Sequence, residues 1–567
     1  MTVISTKIMR YSLWLACAGL IAGCGADYSP MGMDDSNGFN SAPGDGSEGD
    51  FADWDGDGDM DADGDGDFIP EEEEFLVQQV AATESYVFVP NQSEDSDTVA
   101  LIDGYDFSVR PIRVGLNPKQ VVAADVEEQG SVGFVLSTGS STVAIIRADQ
   151  GQGDNRADVR MLSVPGEVNQ LAMAPDGRHV IAYIDPNEPI NASASTASLQ
   201  TMALVRLGDE PGEDEVFQLS VTRLIEDIAF TADSEQAFLV GAEGVNRLHL
   251  ADIKADAFIP SIDLGLSSSI FSPIDQEVAF SSDGSFLAIR TSDFAGVGLV
   301  QLHATDAQVL TNRLVEFDGI PTDIDLVERE GESAMLIASL RSQNQVVIFE
   351  IDEALEADEE DYSFLRVIDA PGTNTGIGRL TPDESAMVVF STLPTRPMVG
   401  LLDLETETIS TYEMRNQIRN LAISPDSRTA VAVHRRQEGG SGGTDWEERF
   451  RHSEGLTLWD LETGYRRPIL LEGEPDEILM TSDSAGNAYL YVMLTSDREA
   501  HQGVKRIDLR SHRTDFLRLH RRPMQLGVVA GQVFISQDEE TGRITFLDVE
   551  TNAQRTVSGY ELNAGIQ

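Results

Sequence analysis

The chain has only two cysteines, Cys17 and Cys24, both close to its N-terminus. Beyond residue 24 no internal disulfide can form, so packing must supply the stability. Lysine is almost missing too, with only Lys7, Lys119, Lys254 and Lys505, and the 39 basic residues face 97 acidic ones for a formal charge of −58. Such a surface repels phosphate backbones and excludes a nucleic-acid partner. An acidic, lysine-poor exterior suits a saline habitat or a solubility requirement and names no ligand by itself. After residue 24 no apolar run is long enough to cross a bilayer as a helix. There is no H-E-x-x-H and no Walker loop, and the eight histidines are spread over the chain with no two at metal-ligand spacing on one element.

What is present begins with a leader. Lys7 and Arg10 give a positive start, and Tyr11 to Leu20 form an apolar run of signal-peptide length, too short to span a membrane. Ile21-Ala22-Gly23-Cys24 resembles the lipobox of bacterial lipoproteins. The resemblance implies cleavage before Cys24, lipidation of its sulfur and acylation of the new N-terminus, with 1–23 removed. Gly25, in place of the aspartate associated with inner-membrane retention in that class, implies an outer-membrane location.

Residues 24–75 read as an acidic linker. From 25 to 75 there is no Lys or Arg, and 18 Asp and Glu alternate with Gly, Ser and Pro. Such a stretch buries too little apolar surface to offset its ordering entropy, and like charges extend it. Within it Asp61, Asp63, Asp65, Gly66, Asp67, Phe68 and Glu72 follow D-x-D-x-D-G-x5-E, which resembles an EF-hand-type calcium loop. The resemblance implies Asp61, Asp63, Asp65, Asp67 and Glu72 as calcium ligands, calcium being the one cofactor suggested. A solvated spacer is the other reading: no helix-forming sequence precedes the loop, and Pro70 stands near its end.

From residue 76 to 567 the chain is repetitive. Apolar, β-branched runs come in pairs joined by short polar turns, and each pair reads as a hairpin. The first joins Tyr86-Val87-Phe88-Val89-Pro90-Asn91 to Thr98-Val99-Ala100-Leu101-Ile102-Asp103, and others begin near Val132, His179, Ala237, Phe286, Ala334, Met387, Ala430, Ala488 and Gln532. Ten hairpins spaced by roughly 43 to 60 residues fit one four-stranded propeller blade per repeat. Two markers keep phase with them. Pro175-Asp176-Gly177, Ser282-Asp283-Gly284, Pro382-Asp383 and Pro425-Asp426 precede first hairpin strands as tight turns, and Leu402-Asp403-Leu404-Glu405-Thr406 and Trp459-Asp460-Leu461-Glu462-Thr463 close second ones. The stretch from Tyr86 through Val114-Gly115-Leu116-Asn117-Pro118 looks like a blade of the YVTN-type propellers. Later blades, with Ile423-Ser424-Pro425-Asp426 and Leu458-Trp459-Asp460-Leu461, look like the wider WD40-like and lactonase-like group. The expected fold is all-β: a propeller of about ten four-stranded repeats, one large ring favoured over two smaller ones. The run from Phe75 to Ala82 reads either as a strand sealing the last blade or as a helix leaving the calcium loop.

Function is less legible. Gly439-Gly440-Ser441-Gly442-Gly443 matches G-x-S-x-G literally, but it sits in a glycine-rich insertion and not in a strand-to-helix elbow. That insertion continues into Asp445-Trp446-Glu447-Glu448-Arg449-Phe450-Arg451-His452, and Trp446, Arg449 and Phe450 form the candidate binding loop, suited to a protein or a sugar. From Arg428 to Arg522 there are 15 Lys and Arg against 16 Asp and Glu, so this section is locally neutral. It contains Arg506, Arg510, Arg513, Arg518, Arg521 and Arg522, a candidate patch for an anionic glycan or lipid headgroup. The favoured reading is a lipid-anchored, extracytoplasmic binding or scaffolding module at the cell envelope with an unknown protein or glycan partner. An enzyme of lactonase-like or lyase-like type, with a polar cluster at one channel mouth, and a structural envelope component are the alternatives.

Overall fold

A computed structural model describes Lys7–Ile8 and residues 81–560 except 92–95, 151–156, 187–198, 223, 242–243, 267–275, 304–307, 330, 359, 394–396, 438–444, 497 and 540. Ten blades stand in one ring, occupying 86–113, 118–163, 170–221, 227–249, 276–316, 323–369, 377–413, 418–470, 474–518 and 523–558. In the blades with four strands of their own, the hairpins expected from the sequence supply the two middle strands, as with His179–Tyr183 and Gln200–Arg206 in blade 3. Cys24 and the five residues of the calcium-loop motif lie outside the described residues. Among the described residues no helix is long and apolar enough to cross a membrane.

The middle strands are apolar almost throughout because each blade is covered on both faces by its neighbours. In blade 2, Gly130–Ser137 and Thr142–Arg147 are buried from their second residue onward. Alternation along a strand then decides which neighbour each side chain meets. Val132, Phe134 and Leu136 pack towards blade 3 with Leu171 and Val180, whereas Val135, Ala144 and Ile146 pack towards blade 1 with Phe88 and Leu101. Outer strands lose this constraint, so Thr408–Glu413 and Gln554–Ser558 are mostly exposed.

Ten apolar clusters fill the ten gaps between successive blades, including the one that closes the ring. There Val87, Ala100 and Ile102 of blade 1 meet Val529, Phe534, Ile544 and Phe546 of blade 10. Phe107 packs edge-on against Phe546 at 4.9 Å, and the Arg555 guanidinium lies 4.2 Å from the Phe107 centroid. The backbone N–H of Ala530 donates to Glu84 O at 2.7 Å. Ala82 does not join the last blade: it bridges Val87, and Phe88 N–H donates to Ala81 O at 3.1 Å, so this segment edges blade 1. Residues 75–80 lie outside the described residues.

The turn residues marked by the sequence serve local and inter-blade roles. Ser281 Oγ donates to Asp283 Oδ1 at 2.8 Å and accepts from Phe286 N–H at 2.8 Å, and Gly284 takes φ +69°, where glycine costs least. Such turns also reach the next blade, with Asp176 N–H donating to Ser234 Oγ at 2.9 Å and Asp383 N–H to Ser427 Oγ at 3.0 Å. On the other marker, Asp403 Oδ1 accepts from the N–H groups of Glu405 and Thr406, and this backbone hydrogen bonding holds its carboxyl below the usual range.

Two departures from regularity matter. Blade 4 has three strands of its own, and Ala257–Ile259 pairs in parallel with Leu219–Val221 of blade 3. A two-residue strand, Lys7–Ile8, pairs antiparallel with Val278 and Ala279 on the first strand of blade 5. Two short helices, α1 (Ile351–Glu356) and α2 (Trp446–Arg451), interrupt the strands of blades 6 and 8.

Candidate functional site between blades 7 and 8

The insertion in blade 8 joins its second strand, Thr429–His434, to its third, Gly455–Asp460. Helix α2 lies within it, and Phe450 anchors the helix. Its side chain is fully buried, 5.3 Å from the His434 imidazole in edge-to-face contact and 5.2 Å from the stacked Trp446 ring. His434 is itself buried. A carbonyl oxygen only accepts, so Nδ1, 3.1 Å from Asn416 O, carries the proton, and Nε2 accepts from the Thr457 hydroxyl at 2.7 Å. Burial pushes the imidazole down to about 4, so it is neutral at pH 7. The expectation that Phe450 makes surface contact is thus replaced by an anchoring position.

Below α2 lies a groove of about 710 Å³ between blades 7 and 8. Blade 7 contributes Glu413 from the end of its outer strand, and the connection to blade 8 contributes Arg415, Asn416 and Gln417. The insertion adds Gln437, Glu447 and Arg451, and blade 8 adds Thr457, Tyr465 and Arg466. Arg415 pairs with Glu447, and its guanidinium lies 5.6 Å from the Trp446 ring centroid. Arg466 lies 5.3 Å from the Tyr412 centroid and donates to Glu413 O at 2.7 Å. Among the described residues neither Arg451 nor Arg466 has a carboxylate within ion-pair distance. Asn416 is committed to structure, donating to Arg451 O and accepting from Gln437 Nε2 at 3.2 Å. Trp446 is 40% exposed and Tyr465 56%, so both rings stay available beside this polar groove.

Of the candidate loop, then, Phe450 is the buried support, and Trp446 and Arg449 are exposed on α2 outside the groove lining, Trp446 meeting its edge through Arg415. Arg451 stood in the insertion quoted from the sequence, whereas Arg415, Tyr465 and Arg466 carried no signal there, because only the packing of the connection from blade 7 against blade 8 brings them together.

The arginine patch does not assemble in full. Arg506 is spent inside the fold, donating to Val549 O at 2.6 Å and stacking on Tyr489 at 4.0 Å. Arg521 pairs with Glu539 at 2.6 Å and Arg513 with Asp515 at 3.7 Å. Arg510 lies in the turn before the outer strand of blade 9, Thr514–Arg518, and Arg518 at that strand's far end.

Acidic groups elsewhere are also engaged. Glu477 of blade 9 accepts from Leu526 N–H of blade 10 at 2.8 Å, and burial pushes its carboxyl up to about 7. Asp323 of blade 6 accepts from Gly378 N–H of blade 7 at 2.5 Å. These first-strand carboxylates link blades. A second cleft, of about 900 Å³, holds Glu328, Asp383 and Asp403, each accepting backbone N–H bonds within or between turns. Among the described residues no group of three or more His, Cys, Asp and Glu is placed to hold a metal ion. Ser441 lies outside the described residues.

No protein-family model matches the chain, and no curated protein does. Among solved structures it is similar to the Dos1 propeller (TM-score 0.41, 13% identity, covering 66% of this chain and 90% of that one). It is also similar to apo AztD from Citrobacter koseri (0.31, 12%, 69% and 96%). A third is dihydro-heme d1 dehydrogenase NirN in complex with DHE (0.36, 13%, 71% and 76%). The ten-bladed ring rests on the strand pairing and packing above, and these likenesses attach no activity to it.

Proposed function

We propose that this propeller is a binding module, lipid-anchored through Cys24 outside the cytoplasm, and that the groove between blades 7 and 8 is its recognition surface. One observation carries the reading: helix α2 of the insertion is pinned by the fully buried Phe450, and so presents Glu447 and Arg451 at a polar groove, with Trp446 against Arg415 at its edge. A loop with no ligand to meet needs no such anchor, whereas a recognition loop gains from being held in place before binding. The leader and Ile21-Ala22-Gly23-Cys24 support the anchor, and Gly25 supports the outer membrane. Detergent-solubilised full-length protein is to be tested for binding to immobilised, delipidated envelope material. Trp446→Ala is expected to weaken retention at least tenfold, and unchanged retention would remove the groove from the account.

A further inference from the structure

The groove has a chemical bias that narrows its ligand, and this step rests on the groove being the recognition surface. In a chain where 97 acidic residues face 39 basic ones, guanidiniums without a carboxylate partner gathered in one groove make a local site for a carboxylate ligand. Among the described residues the groove has two such guanidiniums, Arg451 and Arg466, next to a third, Arg415, whose charge is shared with Glu447. Each guanidinium offers a planar fork that fits a carboxylate in two parallel hydrogen bonds. Arg466 is held by Tyr412 and Glu413 O, and Arg415 by Trp446 and Glu447, so part of the ordering cost is met before a ligand arrives.

The rest of the lining suits hydroxyl groups. The Gln417 carboxamide is half-exposed and makes no side-chain hydrogen bond among the described residues, and Gln437 uses its amide nitrogen on Asn416, leaving its carbonyl oxygen to accept. Tyr465 contributes an exposed aromatic face with a phenolic hydroxyl. Apart from Tyr465, the apolar lining is Pro397, Pro468 and the buried Met414. The overall charge of −58 opposes a long polyanion, since every added charge outside the groove would meet a negative field.

From these features we infer that the groove binds a short saccharide carrying carboxylates, a uronate-containing oligosaccharide. The guanidiniums take the carboxylates, the glutamines the hydroxyls, and Tyr465 one apolar ring face.

Isothermal titration of the full-length protein in detergent, with a chelator present to silence any calcium effect of the linker, tests this. The probes are trigalacturonate, neutral maltotriose and triglutamate. The inference expects heat from trigalacturonate, at least tenfold weaker binding by the other two, and at least a tenfold loss of trigalacturonate affinity in Arg451→Gln, an exposed site whose change leaves the thermal unfolding curve in place. Binding should weaken as salt rises. Silence with trigalacturonate, equal binding of maltotriose or triglutamate, or an unaffected Arg451→Gln each overturns it. Silence here together with Trp446-dependent retention on envelope material would overturn the ligand class alone, whereas Trp446-independent retention would overturn the groove itself.

Discussion

The edge of the Phe450 ring meets the His434 imidazole at 5.3 Å with 74° between the planes. A core histidine and a loop aromatic thereby fix the position of α2, and the groove inherits its shape from that contact.

Removing the Phe450 ring should therefore act on the fold and on the groove together. Phe450→Ala is expected to cost about 3 to 5 kcal/mol as a large buried aromatic. Amide hydrogen exchange should show the protection of Trp446–Arg451 lost first. A variant with native exchange over α2 would mean that the helix is held by something else.

His434 makes stability depend on pH. Its folded value of about 4 lies below the unfolded value of about 6.5, so the unfolded chain binds the extra proton between these values. Both states are neutral above pH 6.5, and stability falls as pH drops from there, levelling off below about 4 after a loss of about 3 kcal/mol. Glu477, raised to about 7, acts in the opposite direction over much of this range, because its folded state keeps a proton that the unfolded state has released. Denaturant titrations from pH 4 to 7 should thus show a steeper fall towards acid in the wild type than in His434→Gln. Parallel curves would mean that His434 is charged in the fold.

A buried ion pair joins blades 2 and 3. Arg147 donates to both carboxylate oxygens of Asp214, at 3.0 and 2.5 Å, with both side chains fully buried, and its Nε donates to Gln129 Oε1 at 2.9 Å. Asp214→Ala leaves a buried guanidinium without its principal counter-charge, and is expected to cost about 3 to 5 kcal/mol. Replacing both partners by apolar residues of matched size should cost much less. Equal losses in the single and double variants would show that the charges do not act as a pair.

Much of the ring was legible because its signals are local. The apolar run from Val132 to Leu136, the aspartate turns at Asp176 and Asp283, and the Asp403 and Asp460 markers each encode a neighbouring backbone geometry. Closure was not legible, since it depends on Phe107 meeting Phe546, and no short-range pattern records such a partner. The same limit explains the site. Trp446 and Phe450 read alike as loop aromatics, and only the fold separates a buried anchor from an exposed ring. Arg415 lies in the connection between blades 7 and 8 and Arg466 on the outer strand of blade 8, so they were invisible as a pair.

The acidic linker yields a separate expectation. If Asp61, Asp63, Asp65, Asp67 and Glu72 act as a calcium loop, titration of the full chain with calcium gives heat that disappears on deletion of 53–67. Identical traces from both proteins would make the segment a spacer.

Lipidation is equally direct to test. Labelled palmitate should enter the wild-type protein and not Cys24→Ser, which should remain unprocessed. Labelling of the variant would move the anchor away from Cys24.

The most direct test of the recognition surface is hydrogen exchange on the full-length protein in detergent, alone and with delipidated envelope material bound. The account predicts new protection confined to residues 413–417, 446–451 and 464–468, with the other blades unchanged. Protection centred on another blade or on the channel, with these three segments unaffected, would contradict it.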